Sequence, residues 1–278
     1  HFIDFETSGV ALPFTKGSRP YEQVAFQFSH HTVDAAGKVC HQTEFLLAEP
    51  GVFPNFEFAR ALKAALGQDQ GSIFKFASHE NTILNVIIHQ LKASKEEDKE
   101  ELIEFLKSIT KPTKDNTEQW EGSRAMIDLR KIVMAYYYNP LTKGSNSIKY
   151  LLPAVLDTST ALQNKYRESL ASIGVSSRNF SPDHRWIQTV DEVIKNPYQI
   201  LPPLFEGWSE EEVEDTISGM DSIGDGGMAL TAYAKLQYVD MLSEERLELM
   251  NGLKKYCELD TLAMVMIYEY FKEVTTAI

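Results

Sequence analysis

The stretch His1-Phe2-Ile3-Asp4-Phe5-Glu6-Thr7 sets two acids inside an apolar run. In a strand, alternate side chains point to opposite faces, so Asp4 and Glu6 share one side while Ile3 and Phe5 enter the other layer. Neighbouring carboxylates repel, and a desolvated one takes up a proton unless a cation sits beside it. A hard divalent ion, Mg²⁺ or Mn²⁺, bound through carboxylate and water oxygens, is the usual remedy. An Asp-x-Glu pair by itself also fits a solvated strand end, so the rest of the chain must supply further acids.

Two more acids stand where a solvated residue would not be expected. Ser78 reads as the N-cap of a helix whose apolar stripe is Ile83, Leu84, Ile87, Ile88 and Leu91. Glu80 falls on that inward stripe at the helix entrance, either as a partner for the helix dipole or as an addition to the opening pair. Near the other end, Ser243-Glu244-Glu245 opens a long helix with Leu249, Leu253, Tyr256, Ala263 and Ile267 on one stripe. Asp260 lies four residues after Tyr256, hence on the same face, and a carboxylate amid an apolar stripe requires a partner. Asp128, in Met126-Ile127-Asp128-Leu129-Arg130, is a rival fourth acid; its other reading is an N-cap.

The elements that must position these residues suggest an α/β domain. Val24, Phe26 and Phe28 fall on one face of a second strand, and His41 to Leu47 forms a third after the turn Asp34–Lys38. Three strands with short links predict an antiparallel meander, in which His30, His31 and His41 read as strand surface rather than a metal cluster. A helix is expected over 54–66 with Gly67 as its C-cap, a strand over 72–77, and an acid-rich helix over 93–110. Residues 125–129 return the chain to the core before a helix carrying Val133, Tyr136 and Tyr137. Gly144-Ser145-Asn146-Ser147-Ile148-Lys149 is a turn and N-cap opening a short helix that ends near Pro153.

Residues 157–222 are the least periodic part, with His184, Trp186 and Trp208 as isolated large side chains, and read as an insertion covering one side of the core. Gly224-Asp225-Gly226-Gly227 lacks the spacing of a phosphate-cradling loop and reads as a turn before a helix over 228–238. The whole is expected to be one domain over 1–278, with a mixed, mostly five-stranded sheet between helices.

Composition narrows the function classes. With 43% hydrophobic and 24% charged residues the chain is an ordinary globular sequence. No apolar run approaches the roughly 18 residues of a membrane span, so no membrane partner is expected. Cys40 and Cys257 are the only cysteines, too few for a disulfide framework, and a reducing cytoplasmic setting is the expectation. A formal net charge of -13 lacks the basic footprint of a high-affinity nucleic-acid binder, though metal-binding acids would account for part of it. Lys95–Glu101 reads as a solvated helix face. A core strand starting at residue 1 without an initiator Met leads us to expect the C-terminal part of a longer protein, with its own preceding region as a partner.

Taken together, these stretches resemble the ribonuclease-H-like 3′–5′ exonucleases called DEDD for their four acids, and most closely a bacterial domain family of unknown function within that superfamily. The resemblance rests on Phe2–Thr7, on Ser78-His79-Glu80-Asn81-Thr82-Ile83-Leu84, and on Tyr256-Cys257-Glu258-Leu259-Asp260-Thr261-Leu262-Ala263-Met264-Val265. Gly144–Lys149 with Leu151-Leu152-Pro153-Ala154, and Asp225-Gly226-Gly227-Met228-Ala229, also resemble the bacterial family.

The resemblance implies a ribonuclease-H-like fold and a phosphodiesterase site in which Asp4, Glu6, Glu80 and Asp260 hold two Mg²⁺ or Mn²⁺ ions. One ion would activate water and the other stabilise the leaving oxygen. Glu80 stands where these exonucleases usually carry aspartate, and Asp128 remains the alternative. Tyr256 matches the tyrosine of the DEDDy branch and would orient the attacking water, since a phenol is a poor base at neutral pH.

Thr7, Ser147 and Lys149 are the candidate substrate contacts, through the helix N-terminus at Ser147 and the Lys149 charge. His79 beside Glu80 is either a substrate contact or structural. Lys143, Arg167, Arg178 and Arg185 form either a basic rim or ordinary surface charges. Tyr136, Tyr137, Tyr138 and Trp186 either stack on bases or, as the more common role, pack in the core. The expected activity is metal-dependent release of nucleotides from the 3′ end of single-stranded DNA or RNA. The alternative is a nucleic-acid-binding or scaffolding module that keeps the fold without turnover.

Overall fold

Three strands come first and set the sheet. The computed structural model describes residues 1–114, 116–191, 193–204 and 223–276. In it β1 (Phe2–Ser8), β2 (Val24–Val33) and β3 (Val39–Leu46) form the expected antiparallel meander. The chain leaves through α1 (Asn55–Leu66) and returns in β4 (Phe74–Lys75), parallel to β1. It leaves again through α2 (His79–Ala93) and α3 (Lys99–Ile109), and β5 (Ile127–Asp128) then pairs parallel to β4. Parallel neighbours need such helical crossovers. The result is a mixed sheet in the order β3-β2-β1-β4-β5, which puts β1 at its centre.

The remainder of the described chain is mainly helical: α4 (Leu129–Tyr136), α5 (Ile148–Thr158), α6 (Thr160–Arg167), α7 (Gly226–Tyr238) and α8 (Ser243–Thr276). A small antiparallel pair, β6 (Thr189–Val190) with β7 (Val193–Ile194), interrupts it. Helices cover both faces of the sheet. Ile3, Phe5 and Phe28 pack with Phe58, Leu62, Leu84, Ile87 and Leu106 of α1–α3. Phe2, Val24 and Phe26 pack on the other face with Leu151, Tyr233, Leu259 and Met264 of α5, α7 and α8. Among the described residues no helix is long and apolar enough to cross a membrane.

Several sequence expectations change. Phe28 does not share a face with Val24 and Phe26, because the β1–β2 register shifts between Glu6 and Thr7. Such a bulge turns two successive residues of one strand to one side; Phe26 stacks on Tyr233 while Gln27 reaches the Leu253 carbonyl, both on the α8 side. The strand over 72–77 shrinks to two residues. The acid-rich helix begins only at Lys99, since Glu96 and Asp98 belong to a turn in which both pair with Arg60 of α1. Ser78 makes no side-chain cap to α2. The helix after Ser147 runs through Pro153 to Thr158. Proline cannot return an N–H to the Lys149 carbonyl four residues back, and Asn196 Nδ2 fills that acceptor at 3.2 Å. Tyr136 and Tyr138 are 83% and 89% exposed rather than packed, whereas Trp186 is buried and Tyr137 half-buried against Tyr270 and Phe271. Trp208 and the last part of the 157–222 stretch lie outside the described residues.

The largest correction concerns the histidines. His30, His31 and His41 are buried, not strand surface, because helices cover both faces of the meander. Alternation does separate them: His30 meets Thr43 on one side, while His31 and His41 stack on the other, 4.7 Å between ring centres. Under α8 these two rings join Ser29 and Thr261, with Ser29 Oγ 3.0 Å from His41 Nε2 and Thr261 Oγ1 2.7 Å from His31 Nδ1. His41 Nδ1 stands 2.8 Å from Glu258 Oε2, an electrostatic contact rather than an aligned hydrogen bond. Glu258 also accepts from the Ser177 hydroxyl, from the Asn179 N–H at 3.1 Å and from Asn179 Nδ2 at 2.8 Å, so its carboxylate stays hydrogen-bonded without His41. His41→Ala should therefore lower the urea-unfolding free energy by about 2–3 kcal/mol, the cost of the cavity left against the His31 ring, and a loss below about 1 kcal/mol would show that the neighbours close over it.

Candidate metal centre

β1 is flanked on both sides, so the residues of its α8 face sit over the middle of the sheet. Asp4 and Glu6 occupy that face, Asp4 half-buried and Glu6 buried. α8 crosses above them and brings Tyr256, Cys257 and Asp260, all buried. α2 contributes His79 and Glu80 from its first turn, and Glu80 is buried. α5 contributes Ile148 and Lys149, also from a first turn, and α7 its first residue, Gly226. Together with Thr7 these residues, Cys257 excepted, line a cleft of 330 Å³. Three helices thus open their N-termini toward one group of acids. Each start carries a partial positive charge, which favours an anion, although Asp225 Oδ1 already accepts from the Met228 N–H of α7 at 2.9 Å.

The electrostatics follow from crowding. Burial first, then Asp260, Glu6 and Glu80, raises the Asp4 carboxyl well above its ordinary range. Burial and Asp260 do the same to Glu6, and burial raises Asp260. Burial pushes Glu80 up to about 8, against the pull of its own helix-start N–H and of Lys75. Lys149 opposes the rise at Asp4, Glu6 and Asp260. Its ammonium donates to the Gly224 carbonyl at 3.0 Å and lies 4.9 Å from the centre of the Tyr256 ring. Lys149, with Lys75 acting on Glu80, cannot neutralise four acids, so the site as built is short of positive charge. Glu80 Oε2 is moreover buried with no hydrogen-bond partner. An orphaned carboxylate oxygen beside three other acids fits a hard divalent cation, whose preferred ligands are such oxygens.

The other predicted residues fall into place as follows. Thr7 Oγ1 lies 2.9 Å from His79 Nε2, so this pair closes one wall of the cleft. Ser147 is exposed and precedes the lining residues of α5. Lys143, Arg167, Arg178 and Arg185 are not among the lining residues; Arg178 reaches the Gln42 carbonyl and Arg185 the Arg167 carbonyl. Asp128 is also outside the lining. It caps α4 by accepting from the Arg130 N–H at 3.0 Å, and it accepts from the Ala77 N–H at 3.0 Å. Lys75 Nζ, 3.6 Å from Asp128 Oδ2, donates to the Ala77 carbonyl.

Ala77 itself has φ of 83°, a conformation that costs a residue with a Cβ about 1–3 kcal/mol. Asp128 and Lys75 thus hold both polar groups of the strained residue that leads into the Glu80 turn.

Sequence reasoning missed two neighbours of Asp260. Tyr198 donates its hydroxyl to Asp260 Oδ1 from the short 310 turn Pro197–Ile200. The turn is anchored by Asn196, whose Oδ1 accepts from the Tyr198 N–H and whose Nδ2 reaches Lys149 O. No periodicity marks a tyrosine in such a turn. Cys257, by contrast, sat in a quoted motif without a role. Burial and Asp260 hold the Tyr256 phenol above its ordinary range, so it stays protonated and acts as a donor.

The sequence matches the family described as Domain of unknown function (DUF2779) over residues 1–147. The match takes in Asp4, Glu6, Glu80 and Asp128, and it stops before Lys149 and α8. No curated protein and no solved structure matches the chain.

The raised carboxyl groups predict an alkaline loss of stability in the cation-free protein. Glu80 binds its proton up to about pH 8 when folded but only to about 4.5 when unfolded, so unfolding free energy falls as pH rises between them. Histidines whose values are lowered, among them His30, His31 and His79, titrate in the opposite sense below about 6.5 and do not disturb the window above pH 7. In chelator, the Tm should fall from pH 7 to pH 9. With Mn²⁺ the fall should shrink, since the cation favours the ionised carboxylates. A Tm independent of pH and of Mn²⁺ would refute the electrostatic account.

Proposed function

This chain belongs to the DUF2779 family, and we propose that it is a metal-dependent 3′–5′ exonuclease of the ribonuclease-H-like DEDDy type, acting on single-stranded DNA or RNA. The observation that carries this reading is the convergence of Asp4, Glu6, Glu80 and Asp260, drawn from one central strand and two helices, around a cleft whose rim is three helix N-termini. Sheet order and layering are compatible with the fold. Two divalent cations held by these acids would supply an activated water and neutralise charge on the scissile phosphate.

The chain's own groups account for the rest of the chemistry. The first turns of α5 and α7 offer backbone N–H groups to phosphate oxygens, and Gly226 leaves open space where a side chain would otherwise project. Lys149 supplies a positive charge at the same wall. Tyr256, kept protonated, can donate to and orient an oxygen but cannot remove its proton. Tyr198 donates to Asp260 Oδ1, and the Tyr256 hydroxyl favours the ionised form of the same carboxylate. Asp128 acts through the Ala77 turn rather than on substrate, so Glu80 is the fourth acid of the proposed site.

The test is degradation of 3′-labelled and 5′-labelled single-stranded DNA and RNA with Mn²⁺, Mg²⁺ or chelator. Metal-dependent laddering from the 3′ end is expected, reduced by roughly a hundredfold or more in Asp4→Ala and in Glu80→Gln. Asp128→Asn, which keeps an acceptor for the cap and for Ala77, should lose less than Glu80→Gln. If no substrate is cleaved by the folded protein under any condition, the reading fails. If Asp128→Asn is the more damaging change, the assignment of the fourth acid fails.

A further inference from the structure

Cys257 stands beside the proposed metal ligands and has no part in the chemistry described so far. Its thiol is buried, 3.7 Å from the Asp4 carbonyl oxygen and 4.0 Å from Asp4 Oδ2. Asp4, Glu6 and Cys257 each offer one ligand atom, and the three atoms lie within 4.8 Å of one another. In a tetrahedral site with metal–sulfur and metal–oxygen lengths of about 2.3 and 2.1 Å, neighbouring ligand atoms are roughly 3.6 Å apart. The observed spacing needs closure by about an ångström or less, within the reach of small side-chain rotations. A second observation points to a ligand beside Asp4 and Glu6: Glu80 Oε2, in a side chain that lines the cleft with these two acids, is buried with no hydrogen-bond partner.

We propose that Cys257 joins Asp4 and Glu6 in a mixed sulfur–oxygen site that selects a thiophilic divalent cation, Zn²⁺ above all, over Mg²⁺. The proposal rests on the metal centre inferred above and extends it from hard cations to a softer one. An all-carboxylate site ranks cations by charge and size, whereas a thiolate adds a ligand that Zn²⁺, Co²⁺ and Cd²⁺ accept and Mg²⁺ does not. As the metal–sulfur bond forms, the thiol proton passes to solvent; no oxidation state changes and no further reactant is needed. Zn²⁺ would therefore displace Mg²⁺ from this position. Cys40, the other cysteine, belongs to β3 and serves as a control.

The experiment uses the full chain and Co²⁺ as the probe. Wild type and Cys40→Ala should develop the near-ultraviolet sulfur-to-cobalt charge-transfer band, at one ion per chain. Cys257→Ser and Cys257→Ala should bind Co²⁺ without it. By calorimetry Zn²⁺ should bind Cys257→Ala about tenfold or more weakly than wild type, with Mn²⁺ affinity the same in both. Should Cys257→Ala not fold, the band in wild type and its loss in Cys257→Ser decide the matter. Mn²⁺ binding without a sulfur band from Co²⁺ would overturn this proposal and leave the metal centre standing. A folded wild type that binds neither Mn²⁺ nor Co²⁺ would overturn both.

Discussion

Four carboxylates drawn toward one another over the central strand are the constraint on which the rest of the structure depends. Each is raised by burial, and Asp4, Glu6 and Glu80 also by neighbouring acids. The protein gathers mostly partial positive charge around them, the starts of α2, α5 and α7 and the Tyr198 hydroxyl on Asp260, with only Lys149 and, at Glu80, Lys75 as full counter-ions. A charge held back in this way suits the cation and the anionic substrate proposed above. An abundance of arginine would have satisfied the acids and closed the site.

The sheet's irregularities serve this arrangement. The register shift after Glu6 sits at the mouth of the cleft and turns both Phe26 and Gln27 toward α8. Gln27 then holds the Leu253 carbonyl, one turn before Tyr256. On the same helix face Glu258 and Thr261 bind the buried Ser29–His31–His41 group. The acids of α8 are thus located by polar contacts on either side of Asp260 as well as by apolar packing. Directional contacts of this kind fix rotation of a helix about its axis, which packing of similar aliphatic side chains leaves freer.

Two small devices hold the entrances. Ala77 keeps an unfavourable backbone angle because Asp128 and Lys75 bind its N–H and its carbonyl. Local strain of this kind persists only where surroundings over-determine it. Asn196 performs the corresponding service on the other side, tying the carbonyl that Pro153 leaves free to the turn that carries Tyr198. In both cases a side chain distant in sequence completes a backbone that the local sequence leaves unfinished.

The sequence by itself determined the alternation that puts Asp4 and Glu6 on one side of β1, the stripe that turns Glu80 inward, and the helical spacing of Tyr256 and Asp260. These are period-two and period-3.6 patterns, set by backbone geometry and readable from neighbours alone. The meander and its antiparallel pairing were legible for the same reason. Tertiary structure decided the rest. It buried His31 and His41, because strand alternation says which residues share a face but not whether a helix covers it. It moved Phe28 to the opposite core through a bulge that leaves no mark in the alternation. It gave Asp128 the N–H groups of Ala77 and Arg130 to hold, both at 3.0 Å, contacts that no local pattern in the sequence marks. And it brought Tyr198 and Cys257 to the acids, where only contacts between segments far apart in the chain could place them.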